Sequence, residues 1–157
     1  MTTKEIKITY LEYNSLEELE SKDKELVKAA IEAIGNSYAP YSKFNVGAAV
    51  RLDNGTIITG SNQENAAYPS GLCAERTAMF YANSQYPNSK IKAIAVAGGQ
   101  NGKLCKAPAT PCGACRQVMA QYQLKAGEAM SIILVGNERI WKFEKVDDIL
   151  PLIFDSI

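Results

Sequence analysis

Two cysteine-bearing segments, far apart in the chain, limit its possible folds more than any other feature. Cys73 and Glu75 lie in the first segment, and Cys112 and Cys115 lie in the second, directly after Pro111. Three thiolates can bind a zinc ion and leave its fourth tetrahedral position to water, which separates catalytic zinc sites from closed structural ones. The fold would then have to bring both segments together, with Glu75 free to act as the acid and base.

The cysteines also have less specific interpretations. A Cys-x-x-Cys spacing such as that of Cys112 and Cys115 occurs as half of a structural zinc site and as a redox pair. Cys105 is the candidate for a fourth ligand that would close the site. Because the chain contains no histidine, any metal must be held by sulfur and carboxylate groups, and any general acid or base must be a group other than imidazole.

Length and charge narrow the class of protein. The chain has 157 residues, which suffices for one compact domain and is too short for two ordinary ones. The 17 lysines and arginines equal the 17 aspartates and glutamates, which argues against a nucleic acid or an anionic membrane as the main partner. Charges near the N-terminus and the lack of a long apolar run argue against a signal peptide or a membrane span. We expect one domain over residues 1–157, in the cytoplasm, that acts on a small molecule.

Hydrophobic periodicity predicts three main helices and a short C-terminal helix or turn, over residues 23–36, 72–83, 112–122 and 147–154. The second and third helices begin at the two cysteine segments. A helix N-terminus favours a thiolate over a thiol by about 0.3–1 kcal/mol. Because three thiolates would leave excess negative charge on a zinc site, Arg76 is expected to offset that charge if its guanidinium reaches a sulfur.

The strands are predicted from apolar runs and turn signals at residues 44–52, 56–60, 91–97, 130–135 and 140–143. The first two form a hairpin around Asn54 and Gly55. Weak alternation over residues 6–13 predicts a further edge strand, while residues 98–110 are predicted as a loop. Alternation of strands and helices after the hairpin predicts a three-layer α/β/α sandwich with a mixed five-stranded sheet. Residues 1–20 form an N-terminal extension to which the sequence assigns no role.

Four blocks of sequence, in order, resemble the small homotetrameric cytidine deaminases. They cover residues 37–49, 60–68, 73–78 and 111–117 within an overall match from about residue 36 to 154. The last two blocks contain the Cys-Ala-Glu and Pro-Cys-x-x-Cys signature of zinc nucleoside deaminases. A cysteine stands where the nucleic-acid-editing and deoxycytidylate branches have a histidine.

The resemblance implies one Zn²⁺ per subunit, bound by Cys73, Cys112 and Cys115, with Glu75 as the proton shuttle. It also implies a homotetramer whose active sites are shared between subunits. Met79, Phe80 and Tyr81, with the loop around Tyr68, add a surplus of large apolar groups that favours subunit contact. Tyr38 and Tyr41 are expected in the core or in such an interface.

The resemblance further implies which residues meet a nucleoside. Asn62 and Glu64 would hydrogen-bond the ribose 3′-hydroxyl, and Phe44 would pack against the pyrimidine. Four further residues are expected at the substrate, through backbone groups or from a neighbouring subunit: Ala66, Ala74, Tyr68 and Phe154. Taken without the resemblance, Asn62 and Glu64 are ordinary turn residues and Phe44 is plain core.

The function that follows is the zinc-dependent hydrolysis of cytidine and 2′-deoxycytidine to uridine and 2′-deoxyuridine plus ammonia, in pyrimidine salvage. Two alternatives remain open at this point. One is a deaminase that acts on another aminated heterocycle, such as a nucleoside antibiotic, with the same chemistry and a different pocket. The other is a zinc-stabilised interaction module without catalytic activity, which leaves Glu75 unexplained.

Overall fold

A mixed β-sheet runs through the protein in the computed structural model, which describes residues 1–155. Its strands are β1 (Leu11–Tyr13), β2 (Asn45–Leu52), β3 (Ile57–Ser61), β4 (Ile91–Gln100), β5 (Lys103–Leu104), β6 (Ser131–Val135) and β7 (Ile140–Phe143). They lie in the order β1-β7-β6-β4-β2-β3, and β5 pairs with β4. Strands β4 and β6 are parallel, and the other described pairs are antiparallel.

Within residues 1–155 the sheet has seven strands, so the prediction of five is wrong. One added strand, β1, lies within the stretch of weak alternation and pairs with β7 over three residues. The other, β5, forms where a loop was predicted. There the chain reverses at Asn101 and Gly102, both with positive φ (54° and 72°), and Gln100 pairs with Lys103. A left-handed Asn-Gly turn matches the twist of a hairpin.

Helices α1 (Ser21–Ala33), α2 (Ala74–Gln85) and α3 (Gly113–Ala126) confirm the three main predictions with shifted ends. The last turn predicted for α1 is a 3₁₀ turn over Ile34–Asn36. Helix α3 continues past residue 122 to Ala126, and the next residue, Gly127, caps it in a left-handed conformation with a φ of 67°. Among residues 1–155, no helix has the length and apolar character needed to cross a membrane.

Of the short helix or turn predicted over residues 147–154, the structure contains only a turn. One 3₁₀ turn forms over Val146–Asp148, and the chain then continues without regular structure to residue 155. Pro151 cannot donate the backbone hydrogen bond that a helix would need there. The segment is held instead by side chains of α3, as described below.

Residues on the two faces of the sheet pack against different helices. Ala93 and Ala95 of β4 face α1, whereas Ile94 and Val96 face α2 and α3, as the alternation of side chains along a strand requires. These contacts confirm the three-layer α/β/α architecture. Met79 is fully buried on the face of the sheet that packs against α2 and α3, so it is not available for the expected subunit contact.

Two glycines let the helices approach the sheet closely. A Cβ atom at Gly47 of β2 would lie 2.1 Å from the carbonyl oxygen of Ala30 in α1. A Cβ atom at Gly60 of β3 would lie 2.4 Å from the amide nitrogen of Ala78 in α2. Neither distance is possible for a real side chain, so helix α2 sits directly on β3 and the position of its first turn is fixed by the sheet.

The N-terminal extension is part of the folded sheet. The Tyr10 ring packs against Trp141 and Phe143, with ring centroids 5.6 and 5.1 Å apart. The Trp141 Nε1 donates a hydrogen bond to the Glu12 carboxylate (2.7 Å), and Leu19 is buried. Residues 10–13 therefore cover the β7 edge of the sheet, as the weak alternation over residues 6–13 predicted in part, and Leu19 packs in the core on the α1 side.

Candidate metal centre and active site

The three predicted zinc ligands lie together at the starts of two helices. Cys73 is the N-cap of α2 and Cys112 is the N-cap of α3, while Cys115 lies in the first turn of α3. Their sulfur atoms are all within 4.8 Å of one another, and those of Cys112 and Cys115 are 3.6 Å apart. Sulfurs in a tetrahedral zinc site with Zn–S bonds of about 2.3 Å are about 3.8 Å apart, so this cluster is compatible with zinc.

Cys105 does not belong to this cluster of three thiols. It follows β5, where its amide donates to the Gly98 carbonyl oxygen (3.0 Å) and its own carbonyl accepts from the Asn137 amide (2.8 Å). Within the described residues, the cluster therefore has three sulfur ligands and no fourth cysteine. This ligand set leaves a coordination position for water or substrate.

The sheet topology explains why the two segments meet. Strands β3 and β4 both pair antiparallel with β2, so they run in the same direction. Helix α2 follows β3, and helix α3 follows the β4–β5 hairpin. Both helices therefore begin near the carboxyl ends of these strands, at the same edge of the sheet, where ligands of open α/β folds bind.

The charges of the cluster are strongly coupled. A hydrogen bond from the Cys115 thiol lowers the pKa of Cys73 to about 5; burial opposes this shift, and the Arg76 guanidinium adds to it. The Arg76 Nη2 donates to the Cys73 sulfur at 3.8 Å. The same hydrogen bond, burial and the charges of Glu75 and Cys73 raise the pKa of Cys115. Three thiols beside a buried carboxyl cannot all ionise unless a cation is bound, which is the situation that a divalent metal resolves.

Glu75 is buried beside the thiols, with 4 % of its surface exposed. Burial raises the pKa of its carboxyl, and the negative charge of Cys73 raises it further. A raised pKa makes a carboxyl better suited to accept a proton during a reaction and then to release it. Its location in the first turn of α2, two residues after Cys73, follows from the spacing of the motif.

A pocket of about 530 Å³ opens beside the thiol cluster. Its wall includes five residues that the sequence predicted for the site: Asn62, Glu64, Tyr68, Cys73 and Arg76. Tyr41 and Leu72 also line it, although Tyr41 was predicted for the core or an interface. The rings of Tyr41 and Tyr68 meet edge to face, 5.9 Å apart, and both side chains are exposed. The one sequence signal for Tyr41 at this site was its position in the block of residues 37–49.

The Glu64 carboxylate is held by the backbone of a neighbouring loop. Its Oε2 accepts hydrogen bonds from the amides of Tyr41 (2.8 Å) and Ser42 (3.3 Å). The Ser42 side chain lowers the pKa of Glu64 most; partial removal from water opposes this, and the two amides lower it further. Both backbone hydrogen bonds end on Oε2, so Oε1 accepts none from these two amides.

The Asn62 side chain is largely used by the fold. Its Oδ1 accepts from the Val46 amide and its Nδ2 donates to the Phe44 carbonyl oxygen, each at 2.8 Å. It thus fixes the start of β2 against the end of β3. One lone pair and one N–H of the amide remain for a ligand.

Four residues predicted for the substrate do not line this pocket: Phe44, Ala66, Ala74 and Phe154. The Phe44 ring covers Gly98, where an added Cβ would lie 3.1 Å from Cε1 of the ring. Ala74 is fully buried. Phe154 is 67 % exposed, and its carbonyl oxygen accepts a hydrogen bond from Gln117 Nε2 (2.7 Å).

The chain is similar in sequence to known cytidine deaminases. Residues 20–129 match the model of the cytidine and deoxycytidylate deaminase zinc-binding region, a range that includes Glu75 and the three clustered cysteines. The chain is 49 % identical over 96 residues to the cytidine deaminase of Halalkalibacterium halodurans, which covers 61 % of this chain and 68 % of the relative. It is 47 % identical over 97 residues to that of Sporosarcina psychrophila, which covers 62 % and 67 %.

Solved structures with similar folds include two cytidine deaminases. The enzyme from Burkholderia pseudomallei superposes with a TM-score of 0.71 at 36 % identity, over 83 % of this chain and 97 % of that chain. The enzyme from Mycobacterium tuberculosis superposes with a TM-score of 0.68 at 30 % identity, over 87 % and 100 %. The similarity therefore extends over nearly all of both solved chains.

Serine substitutions test the metal ligands individually. Replacing Cys73, Cys112 or Cys115 by serine should lower zinc affinity by at least about 100-fold, since loss of an outer partner alone costs about 10–100-fold. The matched control Cys105→Ser should keep the zinc content of the wild type. Metal analysis of the purified variants measures this, and zinc loss in the control or wild-type zinc in Cys112→Ser would contradict the assignment.

Proposed function

The chain belongs to the cytidine and deoxycytidylate deaminase family, and we propose that it hydrolyses cytidine and 2′-deoxycytidine to uridine and 2′-deoxyuridine plus ammonia. The observation that carries the proposal is Glu75, a buried carboxyl of raised pKa beside three thiols. A structural zinc site needs no such group. An interaction module would leave both the carboxyl and the adjoining pocket without a purpose.

We assign the proton transfers to Glu75. A zinc ion held by Cys73, Cys112 and Cys115 would supply Lewis-acid activation of the attacking water. Glu75 takes a proton from that water and passes it to N3 of the pyrimidine while the water oxygen adds to C4. Glu75 then carries the second proton to the amino group, and the C4–N bond breaks to release ammonia. One carboxylate serves both transfers because the entering and leaving groups share one carbon.

Arg76 and the two helix N-termini balance the charge of this site. Three thiolates around a divalent cation leave a net charge near minus one, which weakens the cation as a Lewis acid. The Arg76 guanidinium lies 3.8 Å from the Cys73 sulfur, and both helices direct their positive ends at the cluster. These groups favour the thiolate form and draw charge away from the sulfurs.

Glu75→Gln separates metal binding from proton transfer. The variant should keep one zinc per chain and lose cytidine turnover by about 10⁴-fold or more, because one proton carrier typically contributes about 10²–10⁴-fold and Glu75 acts twice. Ultraviolet absorbance follows the reaction. The control Glu128→Gln makes the same chemical change at a half-buried carboxylate that pairs with Lys90 and Lys92 and should remain active.

The outcomes of this assay discriminate between the functions. Full turnover by Glu75→Gln would contradict the proton-shuttle assignment. A wild-type chain that holds zinc yet leaves cytidine and 2′-deoxycytidine unchanged would instead favour a deaminase of another aminated heterocycle.

We propose that Glu64 and Asn62 bind the 3′-hydroxyl of the sugar. The oxygen of Glu64 that accepts no backbone hydrogen bond supports this, as does the position of both residues on the pocket wall. The same carboxylate repels a 3′-phosphodiester, which disfavours polynucleotides as substrates. The 2′-hydroxyl has no comparable role in this scheme, so cytidine and 2′-deoxycytidine both fit.

Sugar analogues measure this role. The kcat/KM for 3′-deoxycytidine should fall below that for cytidine by about 10⁴–10⁵-fold, as in sites built to hydrogen-bond a hydroxyl. Glu64→Gln should lower the ratio of kcat/KM for cytidine to kcat/KM for 3′-deoxycytidine, whereas the control Glu128→Gln should leave this ratio unchanged. Equal turnover of the two nucleosides by the wild type would remove Glu64 from the sugar site.

We propose a homotetramer whose subunits complete each other's sites. Phe80 (42 % exposed) and Tyr81 (55 % exposed) on α2 and Tyr68 (75 % exposed) at the pocket form the surface that supports this. In this arrangement Phe44 packs on the pyrimidine, and backbone groups of Ala66 and Ala74 meet the nucleoside. Tyr68 and Phe154 reach it from neighbouring subunits.

Light scattering at micromolar concentration tests the assembly. The expected mass is four times the 17.1 kDa of one chain, because a buried apolar surface stabilises association. Phe80→Glu should shift the population towards smaller species. A wild-type monomer would overturn the tetramer.

We further infer that the enzyme works in pyrimidine salvage in the cytoplasm, where free thiol ligands stay reduced.

A further inference from the structure

Arg116 has two strong hydrogen bonds that the proposed reaction does not use. It directly follows Cys115 in the first turn of α3 and is half-buried. Its Nε donates to the Pro111 carbonyl oxygen and its Nη1 donates to the Ile149 carbonyl oxygen, each at 2.8 Å. The guanidinium therefore bridges the start of the metal-binding turn and the C-terminal segment, defined here as residues 149–155.

One end of this bridge fixes the turn that carries two of the thiols. Pro111 immediately precedes Cys112, and the Arg116 amide also donates to the Cys112 carbonyl oxygen (3.0 Å). Arg116 thus binds the backbone carbonyl groups on both sides of the Cys112 Cα atom. Because Cys112 is exposed, few packing contacts of its own hold its position.

The other end of the bridge is a segment without regular structure. Ile149 is buried in the core beneath α3, and its amide donates to Val146 (2.9 Å). Further along, the Phe154 carbonyl oxygen accepts from Gln117 Nε2 (2.7 Å). Two consecutive side chains of α3 therefore attach the C-terminal segment beside the metal-binding turn.

We propose that Arg116 is a positioning residue that couples docking of the C-terminal segment to retention of the metal by Cys112 and Cys115. The inference depends on the zinc site of the proposed function and adds to it. The planar guanidinium holds both carbonyl oxygens in one fixed geometry, which the single flexible ammonium of lysine cannot reproduce. When the segment leaves Arg116, the guanidinium is no longer fixed and the turn gains freedom to release the metal.

The test is the rate at which zinc passes from the protein to a chromophoric chelator. Arg116→Lys should accelerate this release by about 10–100-fold, the effect typical of losing an outer support of a metal ligand. The matched control is Arg51→Lys. The Arg51 guanidinium also makes two hydrogen bonds, to the Lys22 carbonyl (2.7 Å) and the Asp23 carboxylate (3.1 Å), away from the thiols. Arg51→Lys should lower the free energy of unfolding and leave the release rate unchanged.

A second measurement compares the wild type with and without zinc, so its first result does not depend on how the variants fold. Coupling between two sites is reciprocal, so removing zinc from the wild type should increase hydrogen exchange of the amides in the C-terminal segment. In Arg116→Lys this segment should already exchange faster when zinc is bound, and removing zinc should change it less.

The outcomes separate this inference from the function. An unchanged release rate in Arg116→Lys, or equal acceleration in Arg51→Lys, would overturn the coupling while leaving the zinc site intact. The coupling would also be overturned if hydrogen exchange in the C-terminal segment of the wild type were the same with and without zinc. A wild-type chain that binds no zinc would overturn the proposed function, and the inference with it.

Discussion

Three sulfur atoms within 4.8 Å of one another form the arrangement on which the site depends. Nothing in the local sequence brings Cys73 to Cys112 and Cys115; the strands do so, by directing two helices to start at one edge of the sheet. The absence of a side chain at Gly60 then sets how closely α2 lies on β3. An added Cβ atom there would displace the start of α2, and with it both Cys73 and Glu75.

Crowding of acidic groups gives the site its chemical character. Without a cation, the thiols and Glu75 compete for protons, and burial makes each further negative charge costly. The cost of these negative charges is reduced because Arg76 and two helix N-termini offset part of the charge. Such a site is poorly suited to simple stabilisation, since replacing buried ionisable groups by apolar ones is often neutral or stabilising.

The parts that could be predicted from sequence depend on short-range signals. The hairpin at Asn54 and Gly55 forms with a φ of 86° at the glycine, and each cysteine segment starts a helix as its neighbours indicate. Strand β1 could not be predicted with the same clarity, because its partner β7 lies at the other end of the chain. Met79 was misplaced because periodicity defines the faces of a helix without showing which face meets the sheet. The attachment of Asn62 to the backbone of β2 has no sequence signal at all.

Strand β1 also changes what the sheet presents to other molecules. Without it, β7 would leave a row of free backbone groups beside Trp141 and Phe143, and such an edge is a template for pairing with other chains. The strand that takes its place is three residues long and carries Glu12 at its centre. A three-residue edge strand offers few free backbone groups to a second copy. The N-terminal extension thereby replaces the longer β7 edge by a shorter one, which is one of the ways in which proteins limit edge-to-edge pairing of sheets.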